Sequence, residues 1–304
     1  MEDAYAPVTT DARERWDAGP LLVLAAAVLW GTSGTAQALG PAGATPLLIA
    51  VVRVGLGGVA LLVAAAARGA FARPRRYLHP VFLLAGLAQA AFNFSYFTGL
   101  RMAGVAVGVM IAIGSVPIFT GLLGIVFNRE PAGPRWYGAT AMAVLGVGLL
   151  FGGGGRASVD PLGVLFAVIA GFSYSFFTFV SGRVVRRFAP DALIGVSFMV
   201  ATCLLVPFAL SAPLDWVITP AGGGLVAYMG LVSSALAYML YGRGLRTVMV
   251  SRVGTLTLAE PLTGSLLGVL VLREAVTPTI VGGMVLVFLA QVIIVTGRRR
   301  RVRR

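Results

Sequence analysis

The sequence predicts an all-α integral membrane protein in which ten transmembrane helices form two inverted five-helix repeats around a central cavity. Three observations carry that prediction. Of the 304 residues, 58% are hydrophobic and 12% charged, with a mean hydropathy of +0.91, whereas a soluble globular domain averages about 25% charged residues. The apolar residues gather into ten runs long enough to cross a hydrocarbon layer about 30 Å thick, which takes roughly 20 residues of helix. The chain also repeats itself, with an odd number of runs in each copy.

The runs fall at 20–39, 46–66, 80–98, 103–127, 135–152, 161–182, 191–212, 223–241, 253–272 and 278–297, helices 1 to 10 in chain order. They are continuous, without the alternation of a barrel strand, so helices are expected. Helix 1 follows a polar segment, MEDAYAPVTTDARERWDAGP. That segment has no apolar h-region, so it reads as a short cytoplasmic tail (1–19) and not as a cleavable signal peptide. Helices 1 to 5 span 20–152 and helices 6 to 10 span 161–297, followed by a basic cytoplasmic tail, 298–304. Helix 2 carries GLGG at 55–58 and helix 5 runs into GVGLLFGGGG at 146–155, compositions suited to close helix packing and a flexible outer turn.

Orientation follows from the arginines, since the chain has no lysine. With both termini in the cytoplasm, 20 of the 24 arginines lie on that side; Arg101, Arg156 and Arg273 lie opposite and Arg53 within a span. The formal net charge of +13 is then topogenic and attracted to anionic lipid, with no nucleic-acid partner expected. Arginine without lysine further suggests a high-GC bacterial genome and hence an inner membrane.

The repeat pairs SYFTGLRMAGVAVGVMIAIGSVPIFTGLLGIVFNREPAGPRWYG with MLYGRGLRTVMVSRVGTLTLAEPLTGSLLGVLVLREAVTPTIVGG. Tyr96, Gly99, Leu100 and Arg101 match Tyr241, Gly244, Leu245 and Arg246; beyond a one-residue gap, Pro117, Gly124, Arg129, Glu130 and Pro134 match Pro261, Gly268, Arg273, Glu274 and Pro278. Five helices per copy send the second copy into the membrane from the opposite side. Such inverted repeats are a common plan of secondary transporters.

With these residues in view, the chain resembles the EamA-type branch of the drug/metabolite transporter superfamily. The resemblance rests on LWGTSGTA (Leu29 to Ala36), the arginine of VVRVGLGG, the Gly-Leu-Arg turns and the paired proline-to-glutamate segments, and covers about 20–297. It implies a bundle of two inverted halves around a cavity that moves small organic metabolites, usually outward. Exporters of amino acids and of amphipathic compounds are prominent in the family, and no motif in this chain selects among them.

Ionisable groups inside spans are costly and mark function by default. Two occur here, Arg53 and Glu260. Glu260 either exchanges a proton or pairs with a cationic group of substrate, or it hydrogen-bonds a helix broken at Pro261 or pairs with Arg53. Its repeat partner is Val116 beside Pro117, so the proline does not require the carboxylate. Arg53, about two turns into helix 2, attracts a substrate carboxylate, neutralises Glu260 or snorkels to the outer interface.

Helical spacing selects four polar faces: Trp30, Ser33 and Gln37; Gln89, Asn93 and Tyr96; Tyr174, Thr178 and Ser181; Ser234, Tyr238 and Tyr241. They belong to helices 1, 3, 6 and 8, two repeat-related pairs, and read either as a cavity lining or as interhelical hydrogen bonds. Trp30 and Asn93 stand farthest from span ends. Pro117 and Pro261 are the expected hinges or gates of alternating access.

Other classes find little support. An intramembrane enzyme needs a catalytic set, but the chain offers one histidine, His79, at a span boundary, and one cysteine, Cys203, read as a small core residue. GGGGR lacks the Lys-Ser/Thr of a phosphate-binding loop, so neither nucleotide nor other cofactor is expected. Short loops leave no signalling domain, although the arginine-rich end offers a partner site. The expected partners are a small-molecule substrate, the bilayer and, if transport is coupled, protons; facilitated diffusion stays open.

Overall fold

The computed structural model describes residues 18–41, 43–72, 74–130, 132–151, 160–209 and 213–296. Arg156, the GGGG turn and most of both tails lie outside them. Ten helices follow in order: α1 (Gly19–Ala38), α2 (Pro46–Ala67), α3 (Pro80–Ala103), α4 (Val105–Asn128), α5 (Pro134–Phe151), α6 (Pro161–Val184), α7 (Pro190–Ala209), α8 (Pro220–Gly244), α9 (Val250–Leu270) and α10 (Pro278–Thr296). Nine are long and apolar enough to cross a membrane; α5, with Arg135 and Trp136 in its first turn, is the tenth and most polar at its start.

Seven helices begin on proline: Pro46, Pro80, Pro134, Pro161, Pro190, Pro220 and Pro278. A proline at the first helical position gives up a donor that has no intrahelical partner anyway. Polar side chains then satisfy neighbouring donors: His79 Nδ1 accepts from Val81 N (3.3 Å), Asp160 Oδ1 from Leu162 N (2.8 Å) and Thr219 Oγ1 from Gly222 N (3.0 Å). His79 is thereby an N-cap.

The helices pack as a two-fold arrangement predicts. Helix α3 packs on α6 and α8 on α1, α3 on α7 and α8 on α2, and α4 on α6 as α9 does on α1; the remaining large interfaces, α2 with α7, α4 with α9 and α5 with α10, are each their own repeat image. Atomic contacts agree. A Cβ on Gly99 would lie 2.9 Å from Ala167 N and 3.2 Å from Gly163 O, and one on Gly244 would lie 3.3 Å from Val23 N and 2.9 Å from Gly19 O. Likewise Gly86 rests on Val200, and Gly230 on Leu56. These glycines let backbones approach where lipid supplies no hydrophobic drive between helices.

Two irregularities interrupt these helices, the first unexpected and the second expected from Pro261. Residues Tyr228–Leu236 of α8 form a π-helical stretch. The equivalence of Gly86 with Gly230 is an offset of 144 and that of Tyr96 with Tyr241 is 145, so this stretch absorbs the extra residue. Helix α9 breaks at Thr257 and Leu258, where Leu258 N turns back to Thr255 O (3.2 Å). Pro261 has no N–H for the carbonyl of Thr257, four residues back, which accounts for the break. Helix α4, expected to break likewise, instead continues through Pro117.

Cys203 is not a core residue: it is exposed on α7, near Leu204, Val206 and Phe208, on the face turned away from α2 and α3. Among the described residues the salt bridge is Arg68–Asp191, joining the end of α2 to the start of α7.

Candidate functional site

The polar faces of α1, α3, α6 and α8 converge with Glu260 half-way along α9. At the centre stands Trp30, 5% exposed, with ring centroids 6.2 Å from Tyr174, 4.8 Å from Tyr238 and 5.2 Å from Tyr241. Phe92 extends this aromatic box from Tyr174 (5.4 Å) to Tyr96 (5.5 Å). The arrangement suits aromatic side chains, which mix edge-to-face and tilted contacts and keep a polar tip.

Hydrogen bonds fix some tips and leave others open. Gln89 Nε2 donates to the Tyr238 hydroxyl (3.2 Å), and the hydroxyls of Thr178 and Tyr241 pair at 2.6 Å. Ser33 pairs with Ser233 at 2.5 Å, and Thr32 with Tyr228 at 2.7 Å. Asn93 donates to Gln89 O one turn back (2.8 Å), and Gln37 to Ser33 O (3.3 Å). By contrast, Trp30 Nε1, Gln89 Oε1, Ser181 Oγ, Ser234 Oγ and Arg53 Nε are buried without a partner. Of these, Trp30 Nε1 and Gln89 Oε1 stand at the aromatic box, where an unpartnered buried polar atom calls for an explanation and a ligand is one.

A small pocket opens beside the box, lined by Phe92, Ile113, Val116, Tyr174, Thr257 and Glu260. The break in α9 brings Thr257 and Glu260 to the same wall. Among the described residues the Glu260 carboxylate has neither a hydrogen bond nor an ion pair. Both structural expectations for it therefore fail: it does not bond the broken helix, and Arg53 is not within ion-pair distance. Arg53 and Glu260 are nevertheless each within electrostatic range of Tyr96 and Tyr238.

The structure thus gathers Trp30, Gln89, Tyr96, Tyr174, Thr178, Tyr238, Arg53 and Glu260 in one region, while Ser33 and Asn93 are occupied by bonds to Ser233 and Gln89. Sequence reasoning passed over Phe92, Ile113, Val116 and Thr257. Three are ordinary apolar residues with no signal, whereas Thr257 could have been found as the carbonyl freed by Pro261. Among the described residues no three potential metal ligands cluster.

The EamA-like transporter family matches residues 17–152 and, a second time, residues 161–296, one match for each repeat. An uncharacterized transporter of Bacillus subtilis, YwfM, is 38% identical over 247 residues, covering 81% of this chain and 83% of that one. An uncharacterized inner membrane transporter of Salmonella typhimurium, YicL, is 21% identical over 296 residues, covering 94% and 97%. A crystal structure of a protein with 21% sequence identity superposes with a TM-score of 0.80, covering 92% of this chain and 96% of that one, so the two share a fold.

Proposed function

From the premise that the chain belongs to the EamA-like transporter family, a family of multi-pass membrane proteins, we propose that it is a secondary transporter exporting small organic metabolites, amino acids foremost, by alternating access. The observation that carries this reading is the unpaired carboxylate of Glu260 on a pocket wall, facing an aromatic box and within electrostatic range of the same tyrosines as Arg53. An amino acid presents a cation, an anion and a side chain of variable polarity. Glu260, Arg53 and the rings of Trp30, Phe92 and Tyr174 complement those three features in turn. Trp30, Ser33, Gln89, Asn93, Tyr96, Tyr174, Thr178 and Tyr238 are assigned to this substrate site, either in contact or supporting it.

Glu260 is also assigned the proton. An ionisable group half-way across the membrane, with no fixed partner, can alternate between proton and substrate cation as the cavity changes sides. The arginine bias supports assigning both termini to the cytoplasm, and the naming of YicL as an inner membrane transporter supports assigning the chain to a bacterial inner membrane. Neither a catalytic role nor a cofactor is proposed.

Flux of labelled aromatic and branched amino acids in proteoliposomes, with and without an imposed pH gradient, tests the reading. Gradient-dependent accumulation is expected; in Glu260→Gln the gradient should no longer drive uptake beyond equilibrium with the outside solution, while downhill flux persists. Downhill flux indifferent to the gradient would make the protein a uniporter. Absence of flux for every amino acid would move the substrate to another metabolite class.

A further inference from the structure

The Arg-Glu pair that ends α4 recurs at the end of α9, and the two ends are built alike. Arg129 and Arg273 both adopt the left-handed conformation (φ 53° and 58°). Glu130 N bonds Gly124 O (3.1 Å) and Glu274 N bonds Gly268 O (3.0 Å). Each carboxylate folds back over its glycine, so that a Cβ on Gly124 or Gly268 would lie 2.5 Å from the Oε2 of Glu130 or Glu274.

Beyond this the two differ. Glu130 Oε1 accepts from Val250 N (3.0 Å) and Oε2 from Ser251 N (2.8 Å), so the carboxylate of the first repeat caps the first turn of α9 in the second. Those donors have no intrahelical partner, and a negative charge there is favourable. The image of this contact would join Glu274 to Val105 and Ala106 at the start of α4. Among the described residues no such bond occurs: Val105 is 67% exposed where Val250 is 4%, and Glu274 is exposed where Glu130 is half-buried. A second repeat pair shows the same contrast. Both residues are exposed, but Arg246 Nε donates to Val185 O (3.3 Å) on the closed face, whereas Arg101 on the other face makes no hydrogen bond among the described residues.

We infer that Glu130 and Glu274 are reciprocal latches of the transport cycle, each sealing one face of the domain by capping the first turn of the opposite repeat's fourth helix. In this conformation the Glu130 latch is shut and the Glu274 latch is open. When the halves exchange conformations, Glu274 caps Val105 and Ala106 while Glu130 releases Val250 and Ser251. Both states then keep one set of helix-start donors satisfied by a carboxylate, which keeps them close in free energy. The inference rests on the alternating-access reading but on no particular substrate or coupling ion.

The test is a distance measured by pulsed electron paramagnetic resonance in nanodiscs, between spin labels at Val105→Cys and Val276→Cys in a Cys203→Ala background. Both positions are exposed, and the latch uses the backbone of residue 105, not its side chain. Glu130→Gln is expected to add or enlarge a short-distance fraction, and the further change Glu274→Gln to remove it. An unchanged distribution in Glu130→Gln overturns the inference. Should Glu130→Gln fail to fold, Glu274→Gln alone decides: its side chain has no partner here, so unchanged thermal stability is expected with loss of the wild type's short-distance fraction. Equal distributions in wild type and Glu274→Gln overturn it. Because the readout needs no substrate, a failed amino-acid flux would sink the substrate assignment and leave this result standing.

Discussion

Helices α4 and α9 occupy equivalent places in the two repeats and each carries a proline at its middle, yet one is continuous and the other broken. Before Pro117 stands Val116, 1% exposed, its carbonyl accepting from Thr120 Oγ1 (2.8 Å) and from Ser175 Oγ (3.3 Å). Before Pro261 stands Glu260, whose side chain lines the pocket without a bond. The residues facing them are also images of each other. Ser175 of α6 touches the carbonyl of Val116, and Gly31 of α1 touches that of Glu260, where a Cβ would lie 2.6 Å away. In one half two hydroxyls bond the carbonyl that directly precedes the proline; in the other that carbonyl, of Glu260, meets a bare glycine, and the nearby hydroxyl of Thr263 bonds Ala259 O instead (2.8 Å). Around the two prolines, then, the first repeat supplies a braced and continuous helix to the pocket, and the second a broken one that carries the carboxylate.

The largest expected effect comes from making the halves alike in the wrong direction. Val116→Glu places a second carboxylate at the image position, on the wall of the same pocket, where it adds a like charge to Glu260 and displaces a side chain that is 1% exposed. An acidic residue at mid-span costs about 2.5–3.5 kcal/mol. The variant is therefore expected to lose expression or most of its thermal stability in detergent, measured against Glu260→Gln, which should keep both. A Val116→Glu protein as stable as wild type would mean that the two sites differ in nothing but sequence.

Gly31 comes next. It belongs to the LWGTSGTA segment, and its Cβ would meet both Glu260 O and Thr263 Cβ at 2.6 Å, so α1 and α9 must separate to admit any side chain. Overpacking of this kind costs typically 1–3 kcal/mol. Gly31→Val is thus expected to lower the melting temperature clearly, whereas Gly34→Ala, with nothing within 4 Å, should not. Equal melting temperatures for the two variants would break the claim that this segment is present for its contact with α9.

How much of this was legible beforehand follows from the range of each signal. Helix number, the duplication and the polar faces are periodic or compositional features, and spacing alone selected Trp30, Gln89, Tyr174 and Tyr238, which lie together in the structure. The prolines at 134, 190 and 220 also mark helix starts that hydropathy placed one to three residues late. The Arg-Glu pairs were readable as a repeat motif, but not that Glu130 reaches residues 250 and 251, since nothing local encodes a partner 120 positions away. Cys203 was misjudged because an apolar run in a bilayer has no inside by composition: its lipid face is as hydrophobic as its packed face. The break in α9 and the continuity of α4 differ through Glu260, Ser175 and Gly31 together, a tertiary pattern that the shared proline conceals.

The smallest effect probes that pattern most finely. Ser175 Oγ donates to Gly171 O in its own helix (2.7 Å) and lies 3.3 Å from Val116 O, so only the second contact braces α4. Interhelical side-chain hydrogen bonds in membranes average about 0.6 kcal/mol. Ser175→Ala should therefore lower the melting temperature by no more than a few degrees, and Ser175→Gly, which copies Gly31, by more, because glycine also weakens the α6 backbone by about 1 kcal/mol relative to alanine. The informative readout is hydrogen exchange along α4. If the hydroxyl braces the proline, exchange near residues 113–117 should quicken in Ser175→Ala while α9 is unchanged. If exchange in α4 does not respond, the continuity of that helix is due to its packing on α6 and not to this bond, and the contrast between the halves reduces to Glu260 itself.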